Sequence, residues 1–320
     1  MAYTAITCFL KELEDLSNKD LLTIVLAGGC NLNCSWCAVN ARAERSEKSV
    51  VIKASHYRDL ISSLAKENLI SGVAIVGDEP LLDEAWPVAR GILDCANHHQ
   101  LPTALITNGT KLAERSRELA TRKNQILVSI DGTSAYHDKS RRVEGAYDAV
   151  ICGLASAAEH PELLERITIA SIVQPDKYEY LNGLPEVLAR YGIKRWALSP
   201  LIQFHRNKPA CLHPRLFPAI YEELPRLIEL GQAAGVETMI DDGLSMLLQA
   251  DRDGQLADQP VERPASSDIR VLRMRPDGLT VRYTDLLDTD TSRGLRWDGV
   301  EPPAAFYRRL YAKNPDPVAA

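Results

Sequence analysis

The sequence predicts an α/β protein built on a parallel sheet. Short apolar segments rich in β-branched residues alternate with amphipathic segments of helical period, and this alternation fills residues 21–200. Crossover helices return the chain to the same edge of a sheet, so consecutive βα units favour parallel pairing. The six predicted strands are Leu21–Ala27, Gly72–Val76, Thr103–Thr107, Gln125–Ile130, Arg166–Val173 and Arg195–Leu198.

The segments between these strands have helical character. In the first of them, Leu60, Ile61 and Leu64 fall on one apolar stripe, as expected of a helix packed against a sheet. The predicted helices cover residues 55–67, 84–98, 111–120, 145–159, 181–191 and 219–234.

The pattern changes after residue 200. Residues 204–217 are rich in Pro, His and Arg and are predicted to form a loop. Alternating segments at 269–275 and 279–283 flank Pro276-Asp277-Gly278, and an Asp-Gly turn between such segments indicates a β-hairpin. We therefore expect a leader at 1–20, a βα region at 21–200 and a small α+β extension at 201–320.

Composition excludes some classes of function. The chain has 320 residues, a net charge of −6 and a pI near 5.7, so no basic field attracts nucleic acid. No apolar run approaches the roughly 20 residues of a membrane span. The N-terminus lacks the regions of a signal peptide, and we expect a reducing, cytoplasmic location.

Three of the seven cysteines form a C-x3-C-x2-C run directly after the first predicted strand: Cys30, Cys34 and Cys37. Thiolates select zinc or iron–sulfur clusters. A zinc site would need a fourth ligand from elsewhere in the chain, because structural zinc is four-coordinate. A disulfide plus a free thiol fits poorly with seven cysteines and no secretory signal.

This run resembles the signature of the radical S-adenosylmethionine (SAM) superfamily, including the aromatic residue Trp36 before the last cysteine. The resemblance implies one [4Fe–4S] cluster held by Cys30, Cys34 and Cys37, with an open iron that binds SAM. It also implies a partial (β/α)6 TIM-type barrel, whose loops at the carboxyl ends of the strands form the active-site face.

Further segments at predicted strand ends resemble SAM-binding motifs of this superfamily. Gly77-Asp78-Glu79-Pro80 is similar to its Gly-Gly-Glu-Pro motif, with Asp78 in place of the second glycine. Without the cysteines, this segment would be interpreted as an ordinary βα turn. The residues that the resemblance assigns to SAM are Trp36, Gly77, Asp78, Glu79, Thr107, Asn108, Ser129, Asp131, Arg142 and Ser199.

Two of these assignments leave alternatives open. Asp131 serves either SAM or the substrate. Arg142, of the pair Arg141-Arg142, is expected to bind the SAM carboxylate, since a guanidinium matches a carboxylate bidentately. The alternative for that pair is a solvated basic turn.

The Pro276-Asp277-Gly278 hairpin resembles the SPASM or twitch extension of many relatives. There a cysteine after the turn ligates a second cluster, but here Tyr283 takes that place and no cysteine follows Cys211. The extension is therefore expected to be degenerate and to lack a cluster. Without a second cluster, redox-neutral reactions are favoured over oxidations.

The resemblance implies an enzyme that abstracts a hydrogen atom. We expect a small polar, sugar-like substrate (a sugar, nucleoside or aminoglycoside) in antibiotic-type biosynthesis, with epimerisation or decarboxylation as the outcome. An external donor such as flavodoxin or ferredoxin would supply electrons. Cys211 is the candidate hydrogen-atom donor, and an incidental loop thiol is the alternative.

Two other classes of function stay open. Maturases of ribosomally made peptides share the barrel, but they commonly carry an N-terminal leader-binding domain, whereas only residues 1–20 precede the first predicted strand here. The other class is a non-enzymatic iron–sulfur or zinc scaffold.

Overall fold

The computed structural model describes residues 19–34, 36–37, 53–174, 176–205, 208–212, 217–240, 270–283 and 294–313. In residues 200, 202–205, 208–212, 217–222, 270 and 281–283 it describes the backbone alone. The expected leader falls outside the described residues except for its last two positions.

Strands and helices alternate along the described chain. The strands are β1 (Asp20–Leu26), β2 (Ile70–Gly77), β3 (Thr103–Thr107), β4 (Gln125–Ser129), β5 (Ile167–Val173), β6 (Arg195–Pro200), β7 (Ile202–His205), β8 (Lys208–Leu212), β9 (Glu237–Ile240), β10 (Arg270–Met274), β11 (Leu279–Tyr283) and β12 (Leu295–Arg296). The helices are α1 (Ala54–Lys66), α2 (Trp86–His98), α3 (Leu112–Ala120), α4 (Ser134–Arg141), α5 (Ala146–Ala158), α6 (Pro161–Leu164), α7 (Leu184–Arg190), α8 (Phe217–Ala233) and α9 (Pro303–Lys313), and a 3-10 turn covers Tyr178–Leu181.

Ten of these strands form one sheet in the order β12-β11-β10-β1-β2-β3-β4-β5-β6-β9. Neighbours from β10 through β1 to β9 pair in parallel, and β11 and β12 pair antiparallel at one end. As in parallel barrels, the carboxyl ends of β1 to β6 therefore meet along one rim. The parallel sheet predicted from the βα alternation is confirmed.

The core lies between this sheet and the helices that cover it. Each residue of β1 is buried, which explains why the strand is a nearly continuous apolar run rather than an alternating one. In α1 the buried residues are Tyr57, Leu60, Ile61 and Leu64, the stripe expected from the sequence. Among the described residues, no helix is long and apolar enough to cross a bilayer.

Several elements differ from the prediction, and α6, α9 and β12 are among those that the sequence analysis did not predict. Helix α4 lies where no element was expected, and strand β9 adds to the sheet beside β6. The expected loop at 204–217 instead contributes to the antiparallel pair β7–β8. Proline, histidine and charged residues suggested a loop there, but the alternation Ile202-Gln203-Phe204-His205 has the period of a strand.

The hairpin predicted around Asp277-Gly278 is present as β10 and β11. Asp277 accepts hydrogen bonds from the Leu279 amide (3.1 Å) and the Arg296 guanidinium (2.7 Å), which closes the turn and joins β12 to it. Strand β10 pairs with β1, so the C-terminal residues extend the same sheet that carries the cysteine loop.

A buried hydrogen bond joins the C-terminal helix to the first strand. The Tyr307 hydroxyl of α9 donates to Asp20 Oδ2 at 2.8 Å, and Asp20 is fully buried. Removing a hydrogen-bond donor from a buried carboxylate destabilises the folded state, because neither water nor the protein then satisfies that oxygen.

We predict that Tyr307→Phe lowers the free energy of unfolding by about 1–3 kcal/mol, because it removes one donor to a buried carboxylate. Denaturant unfolding at neutral pH measures this value. Tyr147→Phe is the matched control, since no hydrogen bond of its hydroxyl is found among the described residues, and we expect little change. Equal stability of both variants would contradict the assignment.

Candidate active site

The cysteine loop is held in place by the residue that departs from the expected motif. Asp78 Oδ2 accepts hydrogen bonds from the Gly29 amide (3.0 Å) and the Gly28 amide (3.3 Å). The Asp78 amide donates to the Leu26 carbonyl at 3.1 Å. Because Asp78 does not have a positive φ, an aspartate is tolerated where the motif usually has glycine. The substitution therefore preserves the turn and fastens the start of the loop.

Gly77 is required by close packing between β1 and β2. Its φ is +114°, and a Cβ atom there would lie 2.5 Å from the Leu26 carbonyl oxygen. Only glycine accepts both that backbone conformation and that distance.

Most of the residues predicted for the site line one recess at the carboxyl ends of β1 to β4. These residues are Cys30, Cys34, Trp36, Cys37, Gly77, Asp78, Glu79, Thr107, Asn108 and Ser129. Sequence reasoning missed Leu32, Ile106 and Arg141, which line the same recess.

Two of the cysteine sulfurs accept N–H hydrogen bonds. Cys30 Sγ accepts from the Leu32 amide (3.5 Å) and from Asn108 Nδ2 (3.7 Å). Cys34 Sγ accepts from Arg141 Nη1 at 3.8 Å. Burial raises the pKa of the Cys34 thiol, and the Arg141 charge lowers it. Such donors stabilise negative charge on sulfur, as required of thiolate ligands.

Glu79 links the end of β2 to the end of β3. Its carboxylate accepts hydrogen bonds from the Leu81 amide (3.0 Å), the Thr107 hydroxyl (2.5 Å) and the Asn108 amide (2.7 Å). Burial raises the pKa of Glu79 to about 7, although these hydrogen bonds lower it. The Glu79 carboxylate therefore accepts three hydrogen bonds from the protein itself. Through two of them it fixes Thr107 and Asn108 at the recess.

Asp131 is fully buried and does not line the recess. One of its oxygens accepts from Ser140 Oγ (3.1 Å) and pairs with Arg141 Nε (2.8 Å), and the other accepts from the Ile172 amide (3.2 Å). Asp131 thus contacts the recess through Arg141. Burial acts to lower the pKa of Arg141, but Asp131 and Cys34 outweigh it and the pKa is raised.

The arginine that faces the recess is Arg141, not Arg142. Arg142 is exposed and ends helix α4 in the left-handed conformation, with φ +58°. Because α4 was not predicted, the sequence analysis had not used the signal that distinguishes the two arginines. The signal was the helical spacing of Tyr136, His137, Ser140 and Arg141, the buried residues of α4.

Two predicted residues lie elsewhere. Ser199 is buried in β6 but does not line the recess. Cys211 lies in strand β8, and its side chain is outside the described part of the structure.

The donor set fits an iron–sulfur cluster and SAM. Three thiols open onto one recess, and a four-iron cube binds each cysteine at a separate corner. Among the described residues, no three His, Cys, Asp or Glu side chains converge closely enough to hold a single metal ion. Trp36 Nε1 is buried and finds no hydrogen-bond partner in the described part of the chain, so the recess contains a donor left for a bound group.

Residues 24–170 match the profile of the Radical SAM superfamily, so this part of the chain is a radical SAM domain. A radical SAM domain indicates an enzyme, and proteins of this superfamily use a [4Fe–4S] cluster and SAM. A comparison with curated protein sequences finds no match.

Solved structures of similar fold include SuiB of Streptococcus suis bound to SAM, with a TM-score of 0.62 and 15% identity over 95% of this chain and 68% of that chain. A structure of anSMEcpe with bound AdoMet and the peptide Cp18Cys has a TM-score of 0.65 and 15% identity, over 92% of this chain and 80% of that chain. At such low identity the likeness shows the fold alone, and it confirms the partial-barrel type of α/β fold.

We predict that Asp78→Ala reduces iron bound per chain after anaerobic reconstitution and lowers the free energy of unfolding by about 1–3 kcal/mol, because the Gly28 and Gly29 amides lose their acceptor. Iron content and denaturant unfolding are the measurements. Asp83→Ala, in the same segment and with a side chain 75% exposed, is the control. An Asp78→Ala protein that binds iron as the wild type does would contradict the anchoring role.

Proposed function

We propose that Cys30, Cys34 and Cys37 hold a [4Fe–4S] cluster and that the adjoining recess binds SAM. The observation that carries this proposal is that the three thiols line one recess together with strand-end residues of β2, β3 and β4. When bound, the cluster and SAM supply a 5′-deoxyadenosyl radical that abstracts a hydrogen atom from the substrate.

The chain's own residues would then bind and orient the cofactor. Arg141 offers a buried guanidinium for the SAM carboxylate, in the role expected of Arg142. Thr107, Asn108 and Ser129 offer polar groups at the ends of β3 and β4. Trp36 closes the recess beside Cys37 and helps to exclude water from the reacting groups.

For the substrate we propose a small polar, sugar-like metabolite that undergoes a redox-neutral reaction. The support is the sequence of the hairpin: β11 ends at Tyr283, where relatives with a second cluster have a ligating cysteine. An enzyme with one cluster has no internal acceptor for a substrate electron. Flavodoxin or ferredoxin is the proposed external reductant.

In the epimerisation version, Cys211 returns a hydrogen atom to the substrate carbon from the opposite face. The thiyl radical left on Cys211 is reduced by one electron from the external donor and takes up one proton. Cys211 lies in β8, which pairs with β7, and β7 begins directly after the carboxyl end of β6. This placement supports a position of Cys211 at the open rim. In the decarboxylation version, the substrate radical carboxylate loses CO2 and leaves a radical anion. That anion takes up two protons and one electron from the external donor, and Cys211 is not required.

The alternative is a peptide substrate. It is favoured by the similar fold of SuiB, which has been solved with the precursor peptide SuiA, and of anSMEcpe, solved with a peptide. Both proposals include the cluster and SAM, and they differ in the substrate that binds at the rim.

We predict that Cys30→Ser, Cys34→Ser and Cys37→Ser each abolish the broad absorbance near 400 nm of a reconstituted cluster and the cleavage of SAM to 5′-deoxyadenosine, because each removes one thiolate ligand. Cys152→Ser is the matched control, since Cys152 is an exposed thiol on α5. Full cleavage activity in any of the three variants would overturn the proposal.

We also predict that a sugar, nucleoside or aminoglycoside will stimulate the release of 5′-deoxyadenosine. In D2O the product of that compound should carry one deuterium from solvent. The variant Cys211→Ala should form product without this deuterium. The measurement is mass spectrometry of the product from a panel of such compounds beside synthetic peptides. Stimulation by peptides alone would favour the alternative substrate. An unchanged label in Cys211→Ala would exclude this thiol as the donor.

A further inference from the structure

We propose that Arg141 sets the reduction potential of the cluster, by donating a charged hydrogen bond to the sulfur of Cys34. The inference rests on the proposed function, because it requires the three cysteines to hold a cluster. It is separate from a contact between Arg141 and SAM, and it applies when SAM is absent.

Arg141 contacts the cysteine loop at two points. Its Nη1 lies 3.8 Å from Cys34 Sγ. Its backbone carbonyl accepts a hydrogen bond from the Asn33 amide at 3.1 Å, one residue before Cys34. The backbone hydrogen bond fixes the end of α4 against the loop. The Arg141 side chain is therefore attached to a fixed backbone position beside Cys34 Sγ.

Asp131 orients the Arg141 guanidinium through a buried ion pair. Arg141 is 1% exposed and Asp131 is fully buried, and their ion pair spans 2.8 Å between Nε and Oδ2. Asp131 is itself held by Ser140 and the Ile172 amide. The ion pair at Nε and the hydrogen bond from Nη1 hold the guanidinium between Asp131 and Cys34.

A buried cation beside the sulfur acts strongly on the electron affinity of the cluster. Reduction adds negative charge that is shared by the cluster and its thiolates, so a nearby positive charge stabilises the reduced state more than the oxidised one. Water screens such a charge little in a buried site. The hydrogen bonds described above for Cys30 come from an amide and a side-chain carboxamide, both neutral. Arg141 therefore exerts the larger effect on the potential.

The test is the midpoint potential of the reconstituted, SAM-free cluster, followed by electron paramagnetic resonance during a redox titration. We expect Arg141→Lys to lower the potential, because an ammonium cannot serve Asp131 and Cys34 with the same fork. We expect Asp131→Asn to raise it, because a negative charge near Cys34 is lost. The double variant Asp131→Asn/Arg141→Met should lie below Asp131→Asn.

The double variant removes both charges together and so avoids an unpaired buried carboxylate that could prevent folding. Arg142→Met is the matched control and should keep the wild-type potential, since Arg142 is exposed. If Arg141→Lys keeps the wild-type potential and the double variant equals Asp131→Asn, the inference is overturned while the proposed function stands. If the wild type itself forms no [4Fe–4S] signal, the proposed function fails, and the inference fails with it.

Discussion

The structure depends on how the loop after β1 is held, because that loop carries the three sulfurs. Its start is bound by the Asp78 carboxylate at the end of β2, and its later part contacts Asn108 after β3 and Arg141 after β4. The Asp78 and Asn108 contacts come from the carboxyl ends of β2 and β3, and the Arg141 contact comes from the end of α4, the helix that follows β4. Parallel strands direct these groups to one rim. The loop is thus fixed by the sheet rather than by its own hydrogen bonds alone.

Burying charge at this rim is costly, and the protein compensates with hydrogen bonds. Glu79 accepts three of them from groups on the β2 and β3 ends, although burial raises its pKa to about 7. Asp131 accepts two and pairs with Arg141. Breaking either set would leave an uncompensated charge in the interior, so these residues fix the rim in one arrangement.

The C-terminal part belongs to the same sheet as the site. Strand β10 pairs with β1, α9 is tied to Asp20 through Tyr307, and β9 extends the other side beside β6. The sequence predicted the β10–β11 hairpin because Asp-Gly between alternating segments is a local signal. It did not predict the partner of β10, because pairing of strands about 250 residues apart depends on packing that leaves no local pattern (Asp20 opposite Arg270).

By itself the sequence determined the βα alternation, the cysteine spacing and the motifs at the ends of β2, β3 and β4, because each is a run of adjacent residues whose chemistry is readable locally. Ten of the predicted residues line one recess for that reason. Only the tertiary structure decided that Arg141 rather than Arg142 faces it, and that Asp131 acts through this arginine. The physical reason is helix α4, because its rotation sets which of two adjacent arginines is buried. Burial of that cation requires a partner carboxylate, which Asp131 supplies from the loop between β4 and α4.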